Sequence, residues 1–399
     1  MSYEAPFAGI KVVDLSQGIA GPYAAMLLAQ HGAEVIKVEP PDGDWARILG
    51  RRYGDHTAFS IAGNLGKRSI SVDLKTDEGR ALVQRLAADA DVFIEGFRPG
   101  VVQRLGLGWD ELSRANPRLI YMSVSGFGQS GPSRDRPAMD PVLQAFTGMM
   151  ESNKGKDGVP NRVSFIPVDM CTALYGFQAL SAALYARRDE ARGRYISVSL
   201  LEAAASVQIV RMMATWLEGG QMGMPLVPSG VFPTGRGWLQ LSILRDAQFP
   251  SLCDALDMPD AKADPRFADN PARVAHQGAL EARMEAALAA HPVEVWCQRL
   301  TAAGIMHERV NTYADFLGEP QVEASGAVAW LPQPGVDRNV PIPNIPGAEP
   351  LLGGSEKAEA PTLGQHTRAV LSAAGVPAGE IDDLLARGIL REPKQAAMA

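Results

Sequence analysis

What this 399-residue chain lacks narrows its chemistry before any motif does. Three cysteines, Cys171, Cys253 and Cys297, stand in no metal-like spacing, and so odd and sparse a set suits reduced thiols rather than a disulfide framework. Six histidines are scattered singly, without an HExxH pair, so no metal site is expected. No serine sits in GxSxG and no Walker sequence occurs, which leaves out a nucleophile elbow and a P-loop. Basic charge is short: Lys and Arg number 38 against 45 Asp and Glu, for a net charge of −7. Bulk electrostatics therefore argues against nucleic acid or an anionic membrane as partner, and any anion must be held by a local cluster. No apolar run reaches the roughly 18–20 residues of a membrane span. The start, MSYEAP, lacks a basic segment followed by an apolar one, so a cytoplasmic location is expected.

What is present is alternation. Short β-branched runs at Ile10–Leu15, Glu34–Val38, Ser69–Leu74, Asp91–Ile94 and Leu119–Val124 are separated by helical patterns at Tyr23–Gln30, Asp77–Ala88 and Gly106–Ala115. This order predicts an α/β fold with a largely parallel, Rossmann-like sheet. Met170–Arg187 reads as a helix apolar on nearly all sides, to be buried against the sheet or a partner chain. Tyr195–Leu200 is a further strand, and Leu201–Leu217 a second apolar helix. Composition shifts at the loop-like GGQMGMPLVPSG after Leu217, so 225–315 is taken as a smaller α+β domain. Residues 316–350, proline-rich from Leu331, read as an extended linker. Helices resume at Thr362–Ala374 and Ala378–Ala386.

Five segments could carry chemistry. Small residues after the first strand, Ser16-Gln17-Gly18, can bring backbone N–H groups close to a phosphate, although this loop lacks the dinucleotide GxGxxG; an ordinary turn is the alternative. Nine cations lie among the early turns: Lys37, Arg47, Arg51, Arg52, Lys67, Arg68, Lys75, Arg98 and Arg104. Some could hold a polyphosphate, the rest being solvated surface. Glu95-Gly96-Phe97-Arg98 puts an aromatic and a cation on one turn, and SGFGQSGP follows the Leu119–Val124 strand as a glycine-rich loop. Pro167-Val168-Asp169 precedes the long apolar helix. Asp169 is either the cap of that helix or a fixed carboxylate nucleophile.

Taken in order along residues 7–392, these segments resemble the family III CoA-transferases. The resemblance runs through GIKVVDLSQGIAGPYAAMLLAQHGAEVIKVEPPDGD, NLGKRSISVDLK, DVFIEGFRPGVVQRLGLG, LIYMSVSGFGQSGP, GVPNRVSFIPVDMCTALYG and the tail PTLGQHTRAVLSAAGV. It implies a Rossmann-like large domain from 1–224 and 330–399, with the small domain between. It also implies an interlocked homodimer. The implied activity moves CoA from an acyl-CoA donor to a carboxylic acid acceptor. Asp169 matches the family's nucleophile, which carries an aspartyl-CoA intermediate. Gln17, Lys37, Val72, Lys75, Phe97, Arg98 and Arg104 match positions lining the CoA site. No tightly bound cofactor is implied, CoA entering as substrate. Two departures stand out: Gly96 replaces the usual asparagine, and a glycine-rich lid is matched only by Gly219–Gly223 or Ser229-Gly230. Racemases of the same superfamily look like two-base enzymes with a histidine 30 positions before this aspartate. Here that position is Met139, which cannot take a proton. A racemase or isomerase using another base, and a non-catalytic CoA-ester-binding protein, are the alternatives. Phe146, Met149 and Met150 hint at an aliphatic or aryl acid, or simply at core.

Overall fold

A computed structural model describes residues 5–155, 157–220, 223 and 226–393. Two compact units divide the chain, one formed by residues 1–209 and 325–399 and the other by 210–324. Compositional reading set the junctions at 224 and 316–330 instead. The glycine run read as a possible lid is only partly described: Gln221 and Met222 lie outside the described residues.

In the first unit, strands β1 (Lys11–Asp14), β2 (Glu34–Glu39), β3 (Arg68–Val72), β4 (Val92–Glu95), β5 (Ile120–Ser125) and β6 (Arg194–Ser199) pair in parallel in the order 3-2-1-4-5-6. Alternation along each strand sends side chains to opposite faces. Val12, Ile94 and Met122 pack under the helices Ala20–Gln30 and Pro167–Ala186. Val13, Phe93 and Tyr121 pack with residues of the helices Asp77–Ala88, Thr367–Ala373 and Ala378–Ala386. Each fully buried Val, Leu, Ile or Phe contributes roughly 1.5–3 kcal/mol, so these two faces dominate the stability of the unit.

Pro167–Ala186 buries one stripe, Thr172, Ala173, Gly176, Leu180 and Ala183, at the spacing of one helix face. A Cβ on Gly176 would stand 3.3 Å from the Met122 thioether and 3.4 Å from Ala24 Cβ, so the glycine sets how closely helix, sheet and neighbouring helix approach. The opposite face is open in this chain, with Leu174 and Tyr185 exposed. The expected helix over Leu201–Leu217 is two helices, Leu200–Val207 and Ile209–Leu217, broken at Gln208, whose amide donates to the Thr147 hydroxyl at 3.0 Å.

The proline-rich stretch is more ordered than a linker. β10 (Val328–Leu331) and β11 (Val340–Pro343) form an antiparallel hairpin, and Leu331 and Ile342 are buried with Met26, Leu27, Ile61 and Leu65. A two-residue strand near the end, β12 (Leu390–Arg391), adds antiparallel to the outer edge of β3.

The second unit holds an antiparallel sheet of β7 (Ser229–Pro233), β8 (Trp238–Ser242) and β9 (Met306–Arg309). Phe232, Leu239 and Leu241 join Phe267, Leu280 and Trp296 in its core. Arg273, within the DNPARVAH segment, is buried there; it donates to Val227 O at 2.6 Å and pairs with Asp246 at 2.6 Å.

Candidate active site

Six parallel strands finish along one edge of the sheet, where the loops after β1, β4, β5 and β6 meet. The chain leaves β1 toward β2 on one side while β4 flanks it on the other, and at such a divergence neighbouring loops part and leave a crevice. A cleft of about 440 Å³ occupies this place. Gln17, Gly96, Phe97, Arg98, Ser125 and Asp169 are among its lining residues. Four of the residues picked from sequence, Gln17, Phe97, Arg98 and Asp169, are thus brought together across 152 positions of chain.

Asp169 is not the helix cap. Pro167 occupies the first position of its helix, where a missing N–H costs nothing, and the residue before it, Ile166, makes no side-chain cap. Asp140 does the capping from a distance: its Oδ2 accepts from Val168 N at 2.7 Å and Asp169 N at 3.1 Å. Gln144 Nε2 donates to the other oxygen at 2.6 Å, one helical turn on. The Asp169 carboxylate is left partly buried, with no hydrogen-bond partner among the described residues. Burial first, and then the negative charge of Asp140, push its carboxyl up to about 7. An unneutralised carboxylate of raised basicity is a stronger nucleophile than an ordinary one.

The loop on the other side of the cleft is tied at Ser16 and Gly18. Asp14 accepts from Ser16 N at 3.0 Å and from the Ser16 hydroxyl. Lys37 donates to Ser16 O and, at 3.0 Å, to Asp44, while Asp44 accepts from Gly18 N at 3.0 Å. Gly18 has φ of +81°, and a Cβ there would lie 2.2 Å from the Trp45 ring, so glycine is required on both counts. Trp45 itself lines the cleft.

These contacts revise the cation set. Lys37 is fully buried and its ammonium is consumed under the loop, so it does not line the cleft. Val72 is likewise buried, within the core. Arg47 grips Glu39 with two bonds of 2.6 and 2.7 Å, Lys67 is buried against Asp14, and Arg68 pairs with Glu34. Lys75 and Arg104 are exposed and lie outside the cleft, beyond the carboxyl ends of β3 and β4 on the same edge of the sheet. Neither they nor Arg98 has a carboxylate partner among the described residues. Of the hydrophobic residues proposed near the acid, Met149 belongs to the core, and neither it nor Phe146 or Met150 lines the cleft.

The family model of CoA-transferase family III matches residues 7–367. The chain belongs to CoA-transferase family III. Within that family it is 36% identical to acetyl-CoA:oxalate CoA-transferase of Acetobacter aceti, covering 80% of this chain and 84% of that one. It is 34% identical to succinate–glutarate CoA-transferase of Agrobacterium fabrum, over 92% and 95%. A CaiB/BaiF family protein from Brucella suis, solved by crystallography, superposes with a TM-score of 0.81 at 32% identity, over 93% and 100%. The protein is thus a CoA-transferase enzyme acting on acyl-CoA.

Several organising residues of this family III transferase escaped sequence reading. Asp140 was given no role, although an Asp-Pro opening a short helix with Gln four residues on was a legible signal. Asp14 and Asp44 stood within the quoted segment without a role, and Trp45 lies one residue beyond it. Met139 lines the cleft beside Asp169. A thioether at that point offers no base. Among the described residues no group of His, Cys, Asp and Glu is arranged to hold a metal, and no helix is long and apolar enough to cross a membrane.

Proposed function

We propose that this chain transfers CoA from an acyl-CoA thioester to a carboxylic acid through a thioester formed on Asp169. The observation that carries this reading is a partly buried, partner-free carboxylate, raised to about 7, in the cleft at the strand ends. An Asp169 oxygen attacks the donor carbonyl and expels CoA thiolate, leaving a mixed anhydride. The thiolate attacks the aspartyl carbonyl and releases the first acid, giving aspartyl-CoA. The acceptor carboxylate attacks in turn and expels the thiolate, which then takes the new acyl group and frees Asp169. Each step exchanges one leaving group for another, so a direct and poor attack of carboxylate on thioester is divided into easier ones. Gln17 N–H, which has no acceptor among the described residues, is suited to hold the oxyanions.

Arg98, Lys75 and Arg104, with Phe97, are proposed to hold CoA phosphates and adenine. Lys37 acts beneath the loop, and Val72 through its backbone. The acid pair follows the relatives only in class: their names give oxalate, succinate and glutarate, and the acids of this chain are to be found by screening acyl-CoA donors against carboxylates by mass spectrometry. An obligate homodimer is proposed from the open faces of Pro167–Ala186 and Ile209–Leu217, where Tyr185, Val210, Trp216 and Leu217 are exposed. A cytoplasmic location goes with it.

Trapping tests the central step. Borohydride or hydroxylamine added during turnover should mark Asp169 alone by peptide mass spectrometry. Full activity in Asp169→Asn, with deamidation excluded by mass, would sink the proposal.

A further inference from the structure

Four charged side chains with no solvent exposure lie under the Ser16–Gly18 loop, as the pairs Lys67–Asp14 and Lys37–Asp44. Buried ion pairs are a poor device for stability, since desolvation offsets their attraction and apolar replacements often match or exceed them. Their bonds point elsewhere. Lys67 Nζ donates to Asp14 at 2.7 Å, to Pro22 O at 2.8 Å and to Asn64 Oδ1 at 3.2 Å, joining strand, following helix and a third segment. Asp14 passes this hold to Ser16 N, Lys37 takes Ser16 O, and Asp44 takes Gly18 N. Both neighbours of residue 17 are fixed, while the N–H of Gln17 keeps no protein partner among the described residues. That nitrogen stands 3.8 Å from where a Cβ would sit on Gly96, another residue lining the cleft.

We propose that Lys67–Asp14 and Lys37–Asp44 are positioning residues that hold Gln17, with its unpartnered N–H, at the reacting carbonyl. This rests on the transfer through Asp169 described above. A donor fixed before the reaction needs no reorganisation as charge develops, so the pairs act on the chemical step and not on substrate affinity. Burial also lowers the Lys67 ammonium to about 8, against the attraction of Asp14 and Asp44 and with the repulsion of Lys37. Loss of that proton at alkaline pH removes the charge that holds Asp14.

Lys67→Met and Asp44→Asn are made in the full chain. Transfer rates are measured on each, and donor binding is measured by calorimetry in an Asp169→Asn background. The expected result is a 10–100-fold fall in kcat, donor Kd within threefold of the parent, and a cooperative melt. In the unmodified protein, kcat should decline above about pH 8, a limb absent from Lys67→Met. An unchanged kcat in either folded variant overturns the inference, as does a wild-type kcat flat to pH 9.5. That last measurement needs no variant, so it decides even if Lys67→Met does not fold. Failure to trap an Asp169 adduct in the wild type would instead overturn the reading on which the inference rests.

Discussion

The two walls of the cleft treat charge in opposite ways. Beneath Ser16–Gly18, buried Asp14, Asp44 and Glu39 are matched by Lys67, Lys37 and Arg47, with backbone N–H groups taking further lone pairs. At the start of Pro167–Ala186, Asp169 and Asp140 meet without a cation, and only Asp140 is given donors. Neutralised carboxylates fix a backbone; an unneutralised one keeps its lone pairs for a substrate. On the proposed mechanism the same residue type serves as scaffold or reagent according to whether donors reach it.

The contrast can be broken most severely at Asp169. Asp169→Asn should reduce transfer by roughly 10³-fold or more, read by steady-state exchange. It should also stabilise the fold. The folded carboxyl lies near 7 against an ordinary 3.8, so the folded state binds the extra proton and wild type loses stability as pH rises between those values. The asparagine variant escapes that loss, and its gain of about 1–3 kcal/mol should be larger at pH 8 than at pH 5 in thermal or urea melts. This reverses the sign expected for removing a helix cap.

Asp140→Asn keeps one acceptor for the helix N–H groups but removes the like charge. The acid limb of kcat/KM, expected near pH 7 in wild type, should move to lower pH, with up to about a tenfold loss of plateau rate because a less basic carboxylate attacks more slowly. Burial also raises Glu95 to about 7, and its carboxylate accepts from Phe97 N at 2.8 Å. Glu95→Gln should leave the limb in place, which assigns it to Asp169.

Arg98→Ala and Arg104→Ala should raise donor KM by about 3–30-fold with kcat nearly unchanged, since phosphate contacts are equal in ground and transition states. The smallest effect is expected on dilution. Light scattering should give twice the chain mass down to nanomolar concentration, as for obligate interfaces of about 2,000–5,000 Å². A fully active monomer would remove the dimer and leave the Asp169 chemistry standing.

The strands β1–β5 were legible because each is a β-branched run closed by Gly, Pro or Asp, and Asp169 stood out as the proposed nucleophile only through the family resemblance of its Pro-Val-Asp setting. The scaffold of the site was not. Lys67 reaches Asp14 across 53 positions and Asp140 reaches Asp169 across 29, and no local pattern marks such pairs. A cation met in a loop looks the same in sequence whether it faces water, as Arg98 does, or an aspartate in the interior, as Lys67 does. The hairpin of β10 and β11 was hidden by prolines that suit an extended linker equally well.

The edge strand β12 has a consequence in the time domain. β3 is completed on its outer side by Leu390 and Arg391, residues made after most of the chain. At about 5–20 residues per second of synthesis, the edge of β3 waits roughly 15–60 s for its partner. Throughout that interval a nascent chain carries an unpaired strand, the surface on which neighbouring chains join and precipitate. Slower translation between Val72 and Leu390 is therefore expected to lower the soluble yield.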